Sequence, residues 1–181
     1  MARREPEVAR FCECGGHAWV PTTRGFVTLA SPEDANLLQA YCWTTKRNDL
    51  GRVYAKRASR GRTYLLHREL LGADRTDIEV DHKNLNGLDN RRSNIRLASK
   101  ALNAANRGAG IKGLRGVHNV HHKRPELTKP WMTVICTGRR TYNLGYFATA
   151  EEAAQAYDRK ALELWGEYAR PNFPDVRLSP P

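Results

Sequence analysis

VDHKNLNGLDNRRSNIRLASKALNAAN, residues 80–106, is the stretch that decides how this chain reads. An Asp-His pair opens it, an Asn/Gly-rich loop follows, and a short helix bearing asparagines closes it. Asp81 and the side-chain oxygen of Asn103 are hard donors that suit one Mg²⁺ or Mn²⁺ ion. His82 carries an imidazole whose ordinary pKa, near ~6.5, suits a base that activates water. Together they can bind one hard metal ion and activate one water. The other asparagines of NLNGLDN read as turn formers.

The VDH…DNR…NIR…N framework, with Asp81-His82, Asn94 and Asn103 in register, resembles the HNH endonucleases, in particular the phage and intron-encoded homing type that ends in asparagine. The resemblance covers about residues 63–107. It implies a ββα-metal finger, with the Asp-His pair on the first strand and the last ligand on the helix. It makes His82 the general base, Asp81 and Asn103 the metal ligands, and Asn94 the member of the catalytic set whose amide bridges loop backbone groups. Arg91, Arg92 and Arg96 offer positive charge beside the site, for phosphate or for solvent. His67 in LHREL recurs in the resemblance and reads as a packing histidine.

Lys and Arg number 30 against 19 Asp and Glu, a net charge of +11 and a pI near 9.9, which favours a polyanionic partner such as double-stranded DNA. No apolar run approaches the ~20 residues that cross a bilayer, and MARREPEVAR lacks the apolar core of an export signal, so a cytoplasmic, DNA-associated protein is expected, in a bacterial or phage-infected cell. Four cysteines, Cys12, Cys14, Cys42 and Cys136, are too few and too uneven for a disulfide framework. Cys12, Cys14 and His17 cluster on a glycine-bearing turn and could hold a structural Zn²⁺ if a fourth ligand, with Cys42 the candidate, came from elsewhere. The alternative is a turn with free thiols.

Residues 1–62 read as a charged arm followed by a small α+β region. A strand is expected at Gly25 to Leu29, and a helix opened by Ser31-Pro32-Glu33-Asp34 should run through Leu37, Leu38 and Tyr41. Arg52 to Arg57 alternates like a strand, and Tyr64 to Leu71 reads as a helix stopped at Gly72. Three glycines in the six residues 108–113 mark a linker at residues 108–112.

Beyond it, Leu114 to Val120, Trp131 to Thr137 and Thr141 to Phe147 are strand-like, and Thr149-Ala150-Glu151-Glu152 is a capping box opening a helix to about Trp165. Ala150, Ala154, Tyr157, Ala161 and Leu164 share one helical face. With the wording LRGV, YNLGYF, TAEEAAQAYDRKALELWG and NFP, residues 113–174 resemble the Apetala-two/ethylene-response-factor DNA-binding domain. In that family the sheet enters the major groove, so the resemblance implies DNA contacts from Arg115, His118, Trp131, Arg140, Asn143 and Tyr157. His118, Val120, Cys136 and Asn143 replace arginines or tryptophan of the plant domains, so their base preference does not carry over. Residues 175–181 form a tail.

The expected class is α+β: a ββα-metal nuclease finger plus a three-stranded antiparallel sheet packed on one helix. The expected activity is metal-dependent hydrolysis of DNA by an endonuclease of homing or phage type. The alternative is a non-catalytic sequence-specific DNA-binding regulator that retains the finger as a scaffold.

Overall fold

The structure, a computed structural model, describes residues 6–107, 113–138 and 140–174. The expected linker at 108–112, the tail at 175–181, the first five residues of the arm and Arg139 of the hairpin turn lie outside the described residues. The chain is mixed α+β, with several small sheets and few helices, in two compact units that divide between Lys100 and Ala101. None of the helices among the described residues is long and apolar enough to cross a membrane.

The first unit begins with β1 (Arg10–Phe11), β2 (Ala18–Pro21) and β3 (Val27–Ala30), an antiparallel run. A 3-10 turn at Pro32–Asp34 leads into α1 (Ala35–Gln39). Next come β4 (Thr44–Arg47), β5 (Val53–Ser59) and β6 (Arg62–Leu65), a meander, and α2 (Leu66–Leu70). The unit finishes with β7 (Glu79–His82), β8 (Asp89–Asn90) and β9 (Ile95–Ala98). β7 and β9 pair antiparallel, and Asp81 stands opposite Arg96. β8 leaves that pair and adds to β3 in parallel, so the first sheet runs β1-β2-β3-β8. One core joins β2, β3, α1, β5, α2, β7 and β9, from Ala18 through Leu38 and Leu66 to Val80 and Ile95, with Ala9 and Trp43 added from the connections. Leu38 and Leu66 are fully buried, each stabilising the unit by about 1.5–3 kcal/mol relative to exposure.

Two local expectations are corrected. Ser31 holds the N-cap position of the Pro32–Asp34 turn as expected, but its Oγ accepts from the Arg92 N–H at 2.9 Å and not from a helix N–H, and α1 ends at Gln39, short of Tyr41. Tyr64 and Leu65 are strand, not helix, because the Arg57↔Tyr64 cross-strand pair lays the Arg57 guanidinium over the Tyr64 ring at 4.2 Å, with Tyr41 on a second side at 4.0 Å. Tertiary pairing of this kind overrides a helical pattern only a few residues long.

In the second unit α3 (Lys100–Ala105, its first residue in the first unit) is followed by β10 (Val117–Asn119), β11 (Trp131–Thr137), β12 (Arg140–Phe147) and α4 (Ala150–Trp165). The three strands form an antiparallel sheet in sequence order, with a register shift at Thr133/Val134. Thr149 caps α4, its Oγ1 accepting from Glu152 N–H at 3.1 Å. Ala153, Ala154, Tyr157 and Ala161 are buried beneath the helix, and small side chains let it lie close to Thr133 and Ile135.

Gly87, on the loop before β8, has no room for a side chain: a Cβ there would stand 2.4 Å from the Val53 carbonyl oxygen and 2.5 Å from the Tyr54 ring. Gly87→Ala is therefore expected to lower stability by about 1–3 kcal/mol, the usual cost of overpacking against backbone. Urea denaturation measures it, and an unchanged midpoint would mean that the loop does not lie on β5.

Candidate functional site

Asp81 and His82 sit on β7 as buried side chains, 1% and 5% exposed. β-sheet alternation sends them to opposite faces, so their chemistry is separated at once. The Asp81 carboxylate turns to Arg96 on the paired strand: Nε lies 2.9 Å and Nη2 2.8 Å from Oδ2. A carboxylate offers about four lone-pair sites, so the guanidinium does not exhaust Asp81, and a hard cation remains compatible with its donor chemistry. The guanidinium does place a fixed positive charge on the same group.

The His82 ring lies in a cage of other rings, 5.0 Å from His67 and 5.9 Å from Tyr54 by centroid. Its Nε2 is 3.0 Å from Asn90 Oδ1. The orientation of that amide follows from its other end. Thr28 Oγ1 donates to the Leu88 carbonyl at 3.1 Å, so it can only accept from Asn90 Nδ2, which lies 2.9 Å away. Oδ1 therefore faces the histidine as an acceptor, and His82 carries its proton on Nε2. In the neutral ring the lone pair is then on Nδ1, the nitrogen with the chemistry of a base. Burial lowers the pKa of His82, against the opposing pull of Asn90, Asp81 and Asp89.

Asn94 is buried at the start of β9's approach. Its Oδ1 accepts from Asn84 N–H at 3.0 Å, and its Nδ2 donates to Asn84 Oδ1 at 3.0 Å and to the Asp89 carbonyl at 2.7 Å. The amide thus ties both ends of the loop together. Arg91 and Arg92 also act within the unit: Arg91 holds Asp89 through two bonds of 2.7 and 2.6 Å, and Arg92 holds Asp34 at 2.9 and 2.8 Å. Arg96, 10% exposed, is the least available of the three for a phosphate. Asn103 lies on α3, with Asn106 beyond it.

Residue order alone marks Asn90 as a turn former and gives Thr28 no role. Their part is set by the β3–β8 pairing, which joins residues about 60 apart and which no local pattern announces.

On the second unit, His118, Arg140 and Asn143 are exposed. The pairs His118↔Met132, Val134↔Asn143 and Cys136↔Thr141 lie on the sheet face opposite α4, whereas Trp131 shares the alternation of buried Thr133 and Ile135. Tyr157, expected at the DNA surface, is 4% exposed, its ring packed on Gly116 and against Ile135 and Ala161 in the core. Arg115 spends its guanidinium on the Ala105 and Arg170 carbonyls and its backbone N–H on Asn172. At the N-terminus, the Cys12, Cys14 and His17 ligand atoms all lie within 4.8 Å of one another, and Cys42 is not part of that group.

His67 shows the electrostatic character of the cage. It is buried, its Nδ1 finds no hydrogen-bond partner, and its pKa is lowered to about 3 by burial first, then by His82 and Arg68. Between pH 6.5 and about 3 the unfolded chain binds a proton that the folded cage refuses. Stability is thus fully present above 6.5 and falls as pH drops, by about 1.4 kcal/mol per pH unit for this one group. His67→Gln is expected to flatten that slope by about one proton in pH-dependent urea unfolding. An equal slope in the variant would mean that His67 titrates normally.

No protein-family model matches the chain, and no solved structure does. The chain is 36% identical over 99 residues to an uncharacterized HNH endonuclease of Acanthamoeba polyphaga mimivirus, a match covering 54% of this chain and 48% of the viral protein. It is 38% identical over 107 residues to an ethylene-responsive transcription factor of Arabidopsis thaliana, covering 55% of this chain and 64% of that protein. A dehydration-responsive element-binding protein of the same plant is 66% identical over 32 residues, 18% of this chain and 13% of the plant protein. The chain therefore spans about half the length of the viral relative and less than two thirds of either plant protein. Its similarity is to proteins of two kinds, one named for HNH cleavage and one for plant transcriptional response, the pairing that the sequence motifs lead one to expect.

Proposed function

We propose that this protein is a metal-dependent DNA endonuclease of the HNH type, with residues 63–107 acting as the ββα-metal finger that motif spacing assigns and the C-terminal sheet recognising double-stranded DNA. The observation that carries the reading is the His82–Asn90–Thr28 chain, which holds a buried imidazole in the tautomer with its lone pair on Nδ1. His82 would take the proton from the attacking water, and Asn94 would keep the loop that supports it in shape. Asp81 would hold a Mg²⁺ or Mn²⁺ ion, with Asn103 the second ligand that motif spacing assigns. When bound, that ion would neutralise charge on the phosphoryl and leaving oxygens. Asn90 acts through His82 and is a positioning residue.

The Asp81–Arg96 pair favours a second reading, in which the finger is a retained scaffold and the chain binds DNA without cutting it. The similarity to plant transcription factors points the same way. Nicking of supercoiled plasmid with and without Mg²⁺ separates the two. Cleavage is expected with the ion and none in excess EDTA; binding with no cleavage in any divalent ion would establish the scaffold reading.

If His82 is the base, His82→Ala should slow cleavage by about 10²-fold or more while DNA affinity stays nearly unchanged. Because burial lowers its pKa, the rate should rise with pH on the acid side of 6.5 and be level around neutrality. Asn90→Ala should lower kcat with little change in KM. Equal kcat for Asn90→Ala and the wild-type chain would remove the tautomer argument.

The exposed residues of the C-terminal sheet make a separate expectation. Replacing His118, Arg140 and Asn143 together by alanine should weaken duplex binding without altering thermal unfolding. Each phosphate that the variant no longer neutralises should reduce the log-log salt slope by ~0.9. Unaltered affinity and slope would place the DNA-binding surface elsewhere.

A further inference from the structure

The turn joining β1 to β2 carries chemistry that the nuclease reading does not use. Cys12 directly follows β1, His17 directly precedes β2, and Cys14 lies between them. Cys12 N–H donates to the His17 carbonyl at 3.0 Å, and Gly15 N–H to the Cys12 carbonyl at 2.9 Å, so the backbone folds into a tight knuckle. Gly15 sits at φ +67, the left-handed conformation that glycine adopts without strain. Gly16 N–H points at Cys14 Sγ from 3.4 Å, an orientation that favours a thiolate. Cys12 and Cys14 Sγ are 2.8 Å apart, and Cys14 Sγ is 3.8 Å from His17 Nδ1.

These distances discriminate among the things two cysteines and a histidine can do. A disulfide needs its sulfurs at about 2.0 Å, closer than they stand. Tetrahedral zinc, with Zn–S near 2.3 Å and Zn–N near 2.0–2.1 Å, needs sulfurs about 3.8 Å apart and sulfur to nitrogen about 3.6 Å. The Cys14–His17 separation already meets that requirement, and the sulfurs need part by about 1 Å, a small χ1 change for side chains on an exposed turn.

We propose that Cys12, Cys14 and His17 bind a thiophilic divalent cation of the Zn²⁺ class, with two thiolates and one imidazole from the chain and a water in the fourth position. Two thiolates balance the ion's charge. The role is structural: β1 is two residues long and exposed on both, too short to hold its place by two register pairs with β2 alone. A metal spanning the turn closes that hairpin and completes the edge of the sheet that carries Thr28 two strands in. The ligands lie apart from Asp81 and Asn103 in sequence and differ in kind, soft donors against hard, so the two sites select different ions.

The test uses the full chain, reduced and stripped of metal, titrated with Co²⁺ and then Zn²⁺. Co²⁺ is expected to give an intense sulfur-to-cobalt absorption band that one equivalent of Zn²⁺ abolishes, and Zn²⁺ is expected to raise the thermal midpoint. Cys14→Ser and His17→Ala should each weaken Zn²⁺ binding by about 100-fold or more, whereas Asp81→Ala should leave the cobalt band intact. The two ligand variants keep each other's remaining donors, so a fold lost in one leaves the other to decide. A reduced chain that gives no thiolate band, or a band that survives Cys14→Ser, would overturn the proposal, as would a Cys12–Cys14 disulfide that re-forms in preference to metal uptake. Each result stands whether or not the protein cuts DNA.

Discussion

Everything around His82 depends on one short pairing, the parallel ladder of β8 with β3 that sets Asn90 beside Ala30. Two residues of ladder are a weak attachment by themselves. They are reinforced by Leu29 N–H to the Leu88 carbonyl at 2.8 Å, by the Thr28–Leu88 and Asn90–Thr28 side-chain bonds, and by the Ser31 and Asp34 bonds to Arg92. The loop between β7 and β9 is thereby stitched to the N-terminal sheet, and that sheet becomes part of the support for an imidazole far from it in sequence. Gly87 is the point where this arrangement leaves no tolerance, because the loop runs against the backbone of β5.

A chain with eleven excess positive charges could be expected to display its arginines to a polyanion. Those nearest the site do something else. Arg91, Arg92 and Arg96 are each held by a carboxylate, and the Arg96–Asp81 pair is almost wholly buried. Removing one partner of such a pair leaves an uncompensated buried charge, a loss of about 3–5 kcal/mol, so these residues are constrained by the fold as well as by any chemistry. Further positive charge is exposed elsewhere, as at Arg140 on the second unit.

The second unit has its own internal latch. Asp158 on α4 is buried, and its carboxylate accepts from the N–H of Asn172 at 2.7 Å, from Asn172 Nδ2 at 3.0 Å and from the N–H of Phe173 at 3.0 Å. Asn172 in turn accepts from the N–H of Arg115 at 2.6 Å. Charge-assisted bonds of this kind fasten the segment after the helix to the residue that opens the sheet domain. Gly116 then lets Tyr157 close over the backbone next to it.

Much of this was legible in residue order. The three C-terminal strands and the capped helix α4 follow from alternation, capping and turn chemistry, which act over a few neighbouring residues and leave a local trace, whereas the strand bearing Asp81-His82 was expected from the HNH resemblance. The similarity to HNH and ethylene-response proteins was readable for the same reason, since a motif is a local spacing. Asn90, by contrast, sits in a run of similar asparagine and aspartate residues, and nothing in that run marks it out as the one bonded to His82. The fates of Arg96, Tyr157 and Tyr64 were equally hidden, because each depends on which strand or ring lies opposite. Composition and spacing determined the elements and the candidate chemistry; only tertiary structure, which pairs residues dozens of positions apart, decided which side chain holds which, and with what charge.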